Sequence, residues 1–294
     1  MTNFFPSICS TALTRYCFVF LMLMVYSVLG WCGEMIYCSI GQRRLCEKRG
    51  FLNGPICPIY GHGALVVLLC LDGGCSSPVL TFFLGAILTS IVEYITSFVM
   101  EKLFHMRWWD YSKHRFNING RVCLLNSTLF GLASVFLCHL ANPPVEEQLT
   151  RLFVVGAAVP AAIVLTVIYL ADIVLSVRSA IQISSRLTKL HAIHDELAEK
   201  LETLKLEQQQ MMETQKQKLE ELIQEPQQAM EAGKQKLEAA MASARQTAEE
   251  KLHALYARQD FFERRMLRSF PTMKSARHPE ALKKLREYLA NRKK

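Results

Sequence analysis

The run LFVVGAAVPAAIVLTVIYLADIVLS, Leu152 to Ser176, passes without a break into VRSAIQISSRLTKLHAIHDELAEK, Val177 to Lys200. Asp172 and no other charge interrupts the first run. It exceeds the about 20 apolar residues that a helix needs to cross a hydrocarbon core. The second run keeps apolar residues at helical spacing but surrounds them with Arg, Lys, Asp and Glu. The junction therefore divides the chain into a membrane half, 1–176, and a charged helical half.

Working back from Leu152, four more apolar segments appear: Val122–Ala141, Val79–Met100, Ile56–Leu71 and Cys17–Ile40. The segment Ile56–Leu71 is short, and Gly54, Pro55, Pro58, Gly61 and Gly63 crowd its start. The fold class expected is all-α: a polytopic bundle of about five transmembrane helices, then a cytoplasmic coiled-coil tail. Arg15 ahead of an apolar run resembles a signal peptide. However, Phe20 to Gly30 leads into Trp31-Cys32-Gly33-Glu34 with no small-x-small cleavage site, so the segment reads as a retained first span.

Loop charges set the orientation. Arg43, Arg44, Lys48 and Arg49 follow the first span, and Asp72 alone follows the second. Lys102, Arg107, Lys113, Arg115 and Arg121 follow the third, and Arg151 stands beside Glu146 and Glu147 after the fourth. Basic loops that alternate in this way place the N-terminus outside and the tail in the cytoplasm of a multi-pass cell-membrane protein. The alternation works only if segment 56–71 crosses or pairs with an equivalent crossing.

The net charge of +8 arises mostly in loops and tail. Basic flanks beside anionic lipid account for it more simply than nucleic acid does. All 10 cysteines lie at or before Cys138, and none forms a C-x-x-C pair. They read as small apolar residues in or near the bilayer, not as a zinc or redox motif.

In the tail, Ile183, Leu187, Leu190, His194, Leu197, Leu201, Leu204, Gln208 and Met211 alternate three and four apart. That is a heptad seam with two polar interruptions. Pro226 and Gly233 interrupt the helix, and the seam returns from Leu237 to Phe262. Two arrangements satisfy this pattern: self-association through the coiled coil of 177–268, or an antiparallel hairpin within one chain. The end, 269–294, is basic, with Leu282, Leu285 and Leu289 on one face of a short amphipathic helix suited to an anionic lipid surface.

Candidate functional residues lie in the membrane half. A carboxylate within a span is costly, so Glu34 and Glu93 should face protein or water and find partners. Either they form an ion, proton or substrate site, or a basic loop residue such as Arg49 or Arg121 neutralises them. Gly54, Pro55, Pro58 and Gly61 mark a broken-helix segment, because proline removes a donor and clashes with the preceding turn. Such backbone lines transporter sites or forms a tight turn under the bundle. Trp108, Trp109 and Tyr111, in a basic loop, read as headgroup anchors. No G-x-x-x-x-G-K-[ST] phosphate loop, nucleophile–base pair or metal-ligand constellation appears, so no enzyme, cofactor or metal is expected.

The runs Gly54-Pro55-Ile56-Cys57-Pro58-Ile59-Tyr60-Gly61 and Trp108-Trp109-Asp110-Tyr111-Ser112, with Gly30-Trp31-Cys32-Gly33-Glu34 before them, resemble the bacterial CmpB-type family of ABC-transporter permeases. The resemblance covers about Tyr16 to Leu140. It implies an integral membrane transport component that needs a separate ATPase. A membrane-anchored scaffold working through its coiled coil is the alternative.

Overall fold

The structure is a computed structural model that describes residues 4–42, 50–71, 77–221, 227–257 and 261–291. Arg49, the other basic residues of that loop, Asp72, Cys46, Cys75 and Pro226 lie outside the described residues.

Among the described residues the protein is all-α apart from four two-residue strands. Among the described residues, four helical spans are long and apolar enough to cross a membrane: Ala12–Ile40, Pro78–Phe104, Leu124–Val154 and Ala158–Thr214. The fifth expected crossing is α2, Pro58–Cys70, of 13 residues. At about 1.5 Å per residue it extends about 20 Å, short of a hydrocarbon core. On α3 (Pro78–Phe104), Phe83, Ile87, Ile91 and Ile95 are at least half exposed, and so are Val164, Val167 and Ile168 on α6 (Ala158–Glu221). Lipid is the medium in which such faces are stable, and the chain is a multi-pass membrane protein.

Two compact units form. The first contains Met1–Gln182 and Phe261–Ala276; the second contains Ile183–Asp260 and Arg277–Lys294. Sequence reading placed the boundaries after 176 and 268.

In the first unit, α1 (Ala12–Gln42) packs on α2, which packs on α3. Close approach requires small residues. A Cβ on Gly61 would stand 2.2 Å from Ser27 Oγ and 2.6 Å from the Leu23 carbonyl oxygen. A Cβ on Gly85 would stand 2.3 Å from Ser134 Cβ, where α3 meets α4 (Leu124–Phe136). Gly61 therefore does not break a helix; it lets α1 and α2 touch. Pro58 does not break one either, since it opens α2 at a position whose N–H would be unbonded anyway.

The fourth span does not end at Ala141. It passes through a π-helical turn, Leu137–Ala141, into α5, Asn142–Val154. Pro143 and Pro144 cannot donate to the preceding turn, and local widening accommodates them. The expected loop around Arg151 is thus helical. The helix stops at Gly156, φ 76°, where Gly156 N–H donates to Phe153 and Ala157 N–H to Leu152. This pair of bonds around a left-handed glycine is the Schellman stop. The expected start of the fifth span at Leu152 moves accordingly to Ala158, and Pro160 falls in the first turn of α6.

After α3, β1 (Met106–Arg107), β2 (Asn117–Ile118) and β3 (Val122–Cys123) build a compact loop. β2 pairs with β3, and β1 pairs with β4 (Lys274–Ser275), which follows α8 (Phe261–Ser269). The late segment 261–276 is thereby part of the first unit.

In the second unit, Ile183, Leu187 and Leu190 are fully buried. Arg186 Nη1 of α6 donates to the Leu255 carbonyl of α7 (Gln227–Ala257) at 2.6 Å, and Lys251 lies 3.6 Å from Glu196. The two helices meet antiparallel within one chain. In α9 (Pro279–Asn291), Leu282 and Leu285 are buried by protein, so the apolar face expected to meet lipid is already covered.

Candidate functional site

The loop from Gly50 to Cys57 returns along α1 without forming a helix. Its Cys57 N–H donates to the Ser27 carbonyl, near the middle of α1, at 3.0 Å. Non-helical backbone can sit among spans only if protein satisfies its polar groups. Asp172 does so from α6: Oδ1 accepts Asn53 N and Asn53 Nδ2, both at 2.8 Å, and Oδ2 accepts Gly54 N at 2.7 Å. From the other side Arg265 of α8 donates to the Gly50 carbonyl at 3.2 Å and the Phe51 carbonyl at 2.9 Å. Burial pulls the Arg265 pKa down, and the Asp172 charge opposes that. Of the predicted broken segment, Gly54 and Pro55 lie in this loop, whereas Pro58 and Gly61 belong to α2.

Above this loop α1, α2, α3 and the α4–π segment enclose a cavity of about 340 Å³. Both predicted acids, Glu34 and Glu93, line it. Tyr60 OH donates to Glu34 Oε2 at 2.5 Å, and Cys38 Sγ to Glu34 Oε1 at 3.4 Å. Glu93 is 3% exposed. Its Oε1 accepts from Tyr111 OH at 3.2 Å, and Asn126 stands beside it. Among the described residues, no hydrogen bond reaches Glu93 Oε2. Burial, and next the nearby Glu93 charge, raise the Tyr111 pKa, which keeps its phenol a donor.

The expected neutralisation by Arg121 does not occur. Arg121 Nη2 donates instead to Glu101 Oε2 at 2.7 Å, and its guanidinium lies over the rings of Tyr94 and Phe98. Phe98 and Glu101 sit about one and two helical turns beyond Glu93, closer to where the basic loop begins. The headgroup-anchor reading also changes. Trp108 is 1% exposed, packed by Phe51, Phe104 and Phe270, while Trp109 Nε1 donates to the Arg121 carbonyl at 3.0 Å.

Asp110 ties the loop to the late segment. Ser112 Oγ donates to it at 2.6 Å, and Lys274 forms an ion pair with it. Burial alone would raise the Asp110 pKa, but the Lys274 and Ser112 hydrogen bonds outweigh it and hold the carboxyl at about 2. Gly120, φ 68°, leaves room for this carboxylate: a Cβ there would lie 2.6 Å from Oδ1.

Sequence reasoning named Glu34, Glu93 and Asp172 as charges in spans but missed Asp172's partners, the π turn and Arg265. Consecutive Pro143-Pro144 directly after the apolar run was the available signal for the π turn. Nothing local marks Arg265, which lies 214 residues from Phe51.

The family described as "Putative ABC-transporter type IV" matches residues 21–177. The chain belongs to this family. The matched range holds α1 to the membrane part of α6, and with them the whole cavity wall and the Asp172 clamp. Neither a curated relative nor a solved structure matches the chain.

Proposed function

We propose that this protein is the membrane-spanning, non-enzymatic component of an ABC-type transporter, and that solute passes through the cavity between α1 and α4. The observation that carries the reading is Glu93. A buried carboxylate with an unbonded oxygen on a cavity wall is expensive unless a solute or ion uses it. The non-helical 50–57 loop beside the cavity supports the same reading, because transporter sites are often built where spans are broken. A separate ATPase docks on the cytoplasmic face, since the chain has no phosphate loop of its own. Counting the 50–57 loop and α2 together as a fifth crossing, the N-terminus faces outward and the tail is cytoplasmic in the cell membrane.

The test is solute flux in proteoliposomes containing the protein with its co-purified ATPase, for wild type and Glu93→Gln at matched membrane abundance. Flux that falls at least tenfold in the variant supports the reading. Full flux would reduce Glu93 to a structural residue.

A second reading, the membrane-anchored scaffold, is favoured by one observation. The tail seam is covered at Ile183 to Leu190, but Met211 and Met212 further along are 45% and 51% exposed. Self-association through that part of α6 is the corresponding proposal. Sedimentation equilibrium of the detergent-solubilised full chain, compared with a Met211→Glu, Met212→Glu variant, distinguishes it.

A further inference from the structure

The wall of the cavity sorts by chemistry. Among the described residues, Glu34 and Glu93 are the charged groups that line it, and no Lys, Arg or His does. Tyr26, Tyr37, Tyr60, Phe130 and Phe136 contribute aromatic rings, and the rest is almost wholly aliphatic or small. Tyr60 and Phe130 stand edge to face at 5.9 Å, and the Tyr60 hydroxyl is already committed to Glu34. Its ring is therefore fixed in the wall.

Three ligand classes can be weighed against this lining. An anion would meet two carboxylates in a low-dielectric space without a compensating cation, which is repulsive. A hard metal ion needs six or more oxygen ligands or a tight donor set. Among the described residues, no group of three His, Cys, Asp or Glu side chains could supply one. A substituted ammonium fits each part of the wall. Its charge is stabilised by carboxylate and by aromatic faces, and its alkyl or aryl arms lie against aliphatic side chains.

Resting on the reading of this cavity as the solute site, we propose that its ligand is an organic ammonium ion with apolar substituents, the cationic centre against Glu93 and the apolar body between the aromatic rings. The independent observation is again atomic: Glu93 is 3% exposed, yet its Oε2 lacks a hydrogen-bond donor among the described residues. Buried polar atoms are nearly always satisfied, and an exception on a cavity wall marks where a ligand supplies the missing partner.

The experiment is equilibrium dialysis of the full chain in nanodiscs at pH 8 with radiolabelled benzyltrimethylammonium. Benzyl alcohol and phenylacetate serve as neutral and anionic competitors of similar size. The cation is expected to bind saturably, and neither competitor should displace it at equal concentration. Glu93→Gln should weaken binding about tenfold or more, and Phe130→Leu by roughly threefold or more, the lower range for losing one cation–aromatic contact. Displacement by phenylacetate, wild-type affinity in Glu93→Gln, or no saturable binding by folded protein overturns the proposal. If Glu93→Gln does not fold, the comparison of the three probes on the wild type decides. Uptake of the same probe in proteoliposomes separates the two readings. Binding without uptake overturns the transport reading alone. Glu93-dependent uptake of a neutral or anionic solute without ammonium binding overturns the ligand class alone.

Discussion

Asp172 Oδ2 accepts the backbone N–H of Gly54 at 2.7 Å, across 118 residues of sequence. Together with the two bonds from Asn53, this carboxylate satisfies three donors of a loop that has no helix to do so. Asp172→Ala leaves the Asn53 and Gly54 backbone N–H groups unpaired in a part-buried setting, at about 1–3 kcal/mol for each group that water cannot reach, while Asn53 Nδ2 keeps its bond to Ser176 Oγ at 3.1 Å. The expected outcome is a clear fall in thermal stability of the purified protein, with Asp172→Asn intermediate because one oxygen remains. An unchanged unfolding temperature in Asp172→Ala would show that the loop stands without its clamp.

Gly61→Ala is expected to destabilise the bundle by about 1–3 kcal/mol, as overpacking typically does. The Ser27 hydroxyl can rotate away from a new Cβ, but the Leu23 carbonyl, 2.6 Å from it, is backbone and cannot. Helices α1 and α2 must separate, and the cavity they wall must change shape. Gly33→Ala is the control, since nothing lies within 4 Å of its Cβ position. Thermal unfolding of both variants in the same detergent checks the contrast.

The Asp110–Lys274 pair predicts a pH dependence with a definite sign. The folded carboxyl titrates at about 2, below the unfolded value of about 4, so its contribution is present above pH 4. It is lost as the pH falls through the folded value. Lys274 is largely solvated, so the contribution is modest, about 1 kcal/mol at most. Asp110→Asn at pH 7 should imitate the acid state. Hydrogen exchange of segment 261–276 should rise in that variant and not in wild type between pH 7 and 5.

His278 and His194 give the second unit a dependence of the same sign at higher pH. Burial is the largest cause that lowers each pKa, joined by His191 and Arg277 at His278 and by Lys284 at His194. Above the unfolded value of about 6.5 both rings are neutral in either state and the unit is at full stability. As the pH falls below 6.5 the unfolded chain takes protons first, and stability declines. Proteolysis of the tail in the full chain should therefore accelerate between pH 7 and 5.5, and His278→Gln should flatten that dependence.

Orientation is checked with single-cysteine variants. Cys75 is expected to react with a membrane-impermeant thiol reagent in intact cells, and Cys46 only after lysis, because the loop bearing Arg43, Arg44, Lys48 and Arg49 stays on the cytoplasmic side. The reverse pattern would invert the topology. Labelling of both from outside would mean that α2 does not carry the chain across.

Part of the site was legible beforehand. Glu93 stood out because a single acid in an apolar run has few tolerable environments. Arg121 could be offered only as one possible partner of an intramembrane acid, because sequence makes every nearby acid a candidate, and only packing favours Glu101, reached across the faces of Tyr94 and Phe98. Trp108 was misread for a similar reason. Aromatic residues beside basic ones suit a headgroup belt, but Phe51 and Phe270, from two distant parts of the chain, join the nearby Phe104 around this one.

The sequence by itself determined that this is a helical membrane protein with a charged helical tail. Solvation makes that so: long apolar runs cannot stay in water, and backbone in lipid must close its hydrogen bonds within a helix. Tertiary structure alone decided that α2 is a short helix with a non-helical approach, and that Asp172 and Arg265 hold that approach. It also decided that two acids 59 positions apart share one cavity wall. Helix formation is local, with bonds four residues apart, so a pattern reveals it. The clamp and the cavity depend on which small residues allow helices to touch, at Gly61 against Ser27 and Gly85 against Ser134, and that choice exists only once the helices have met.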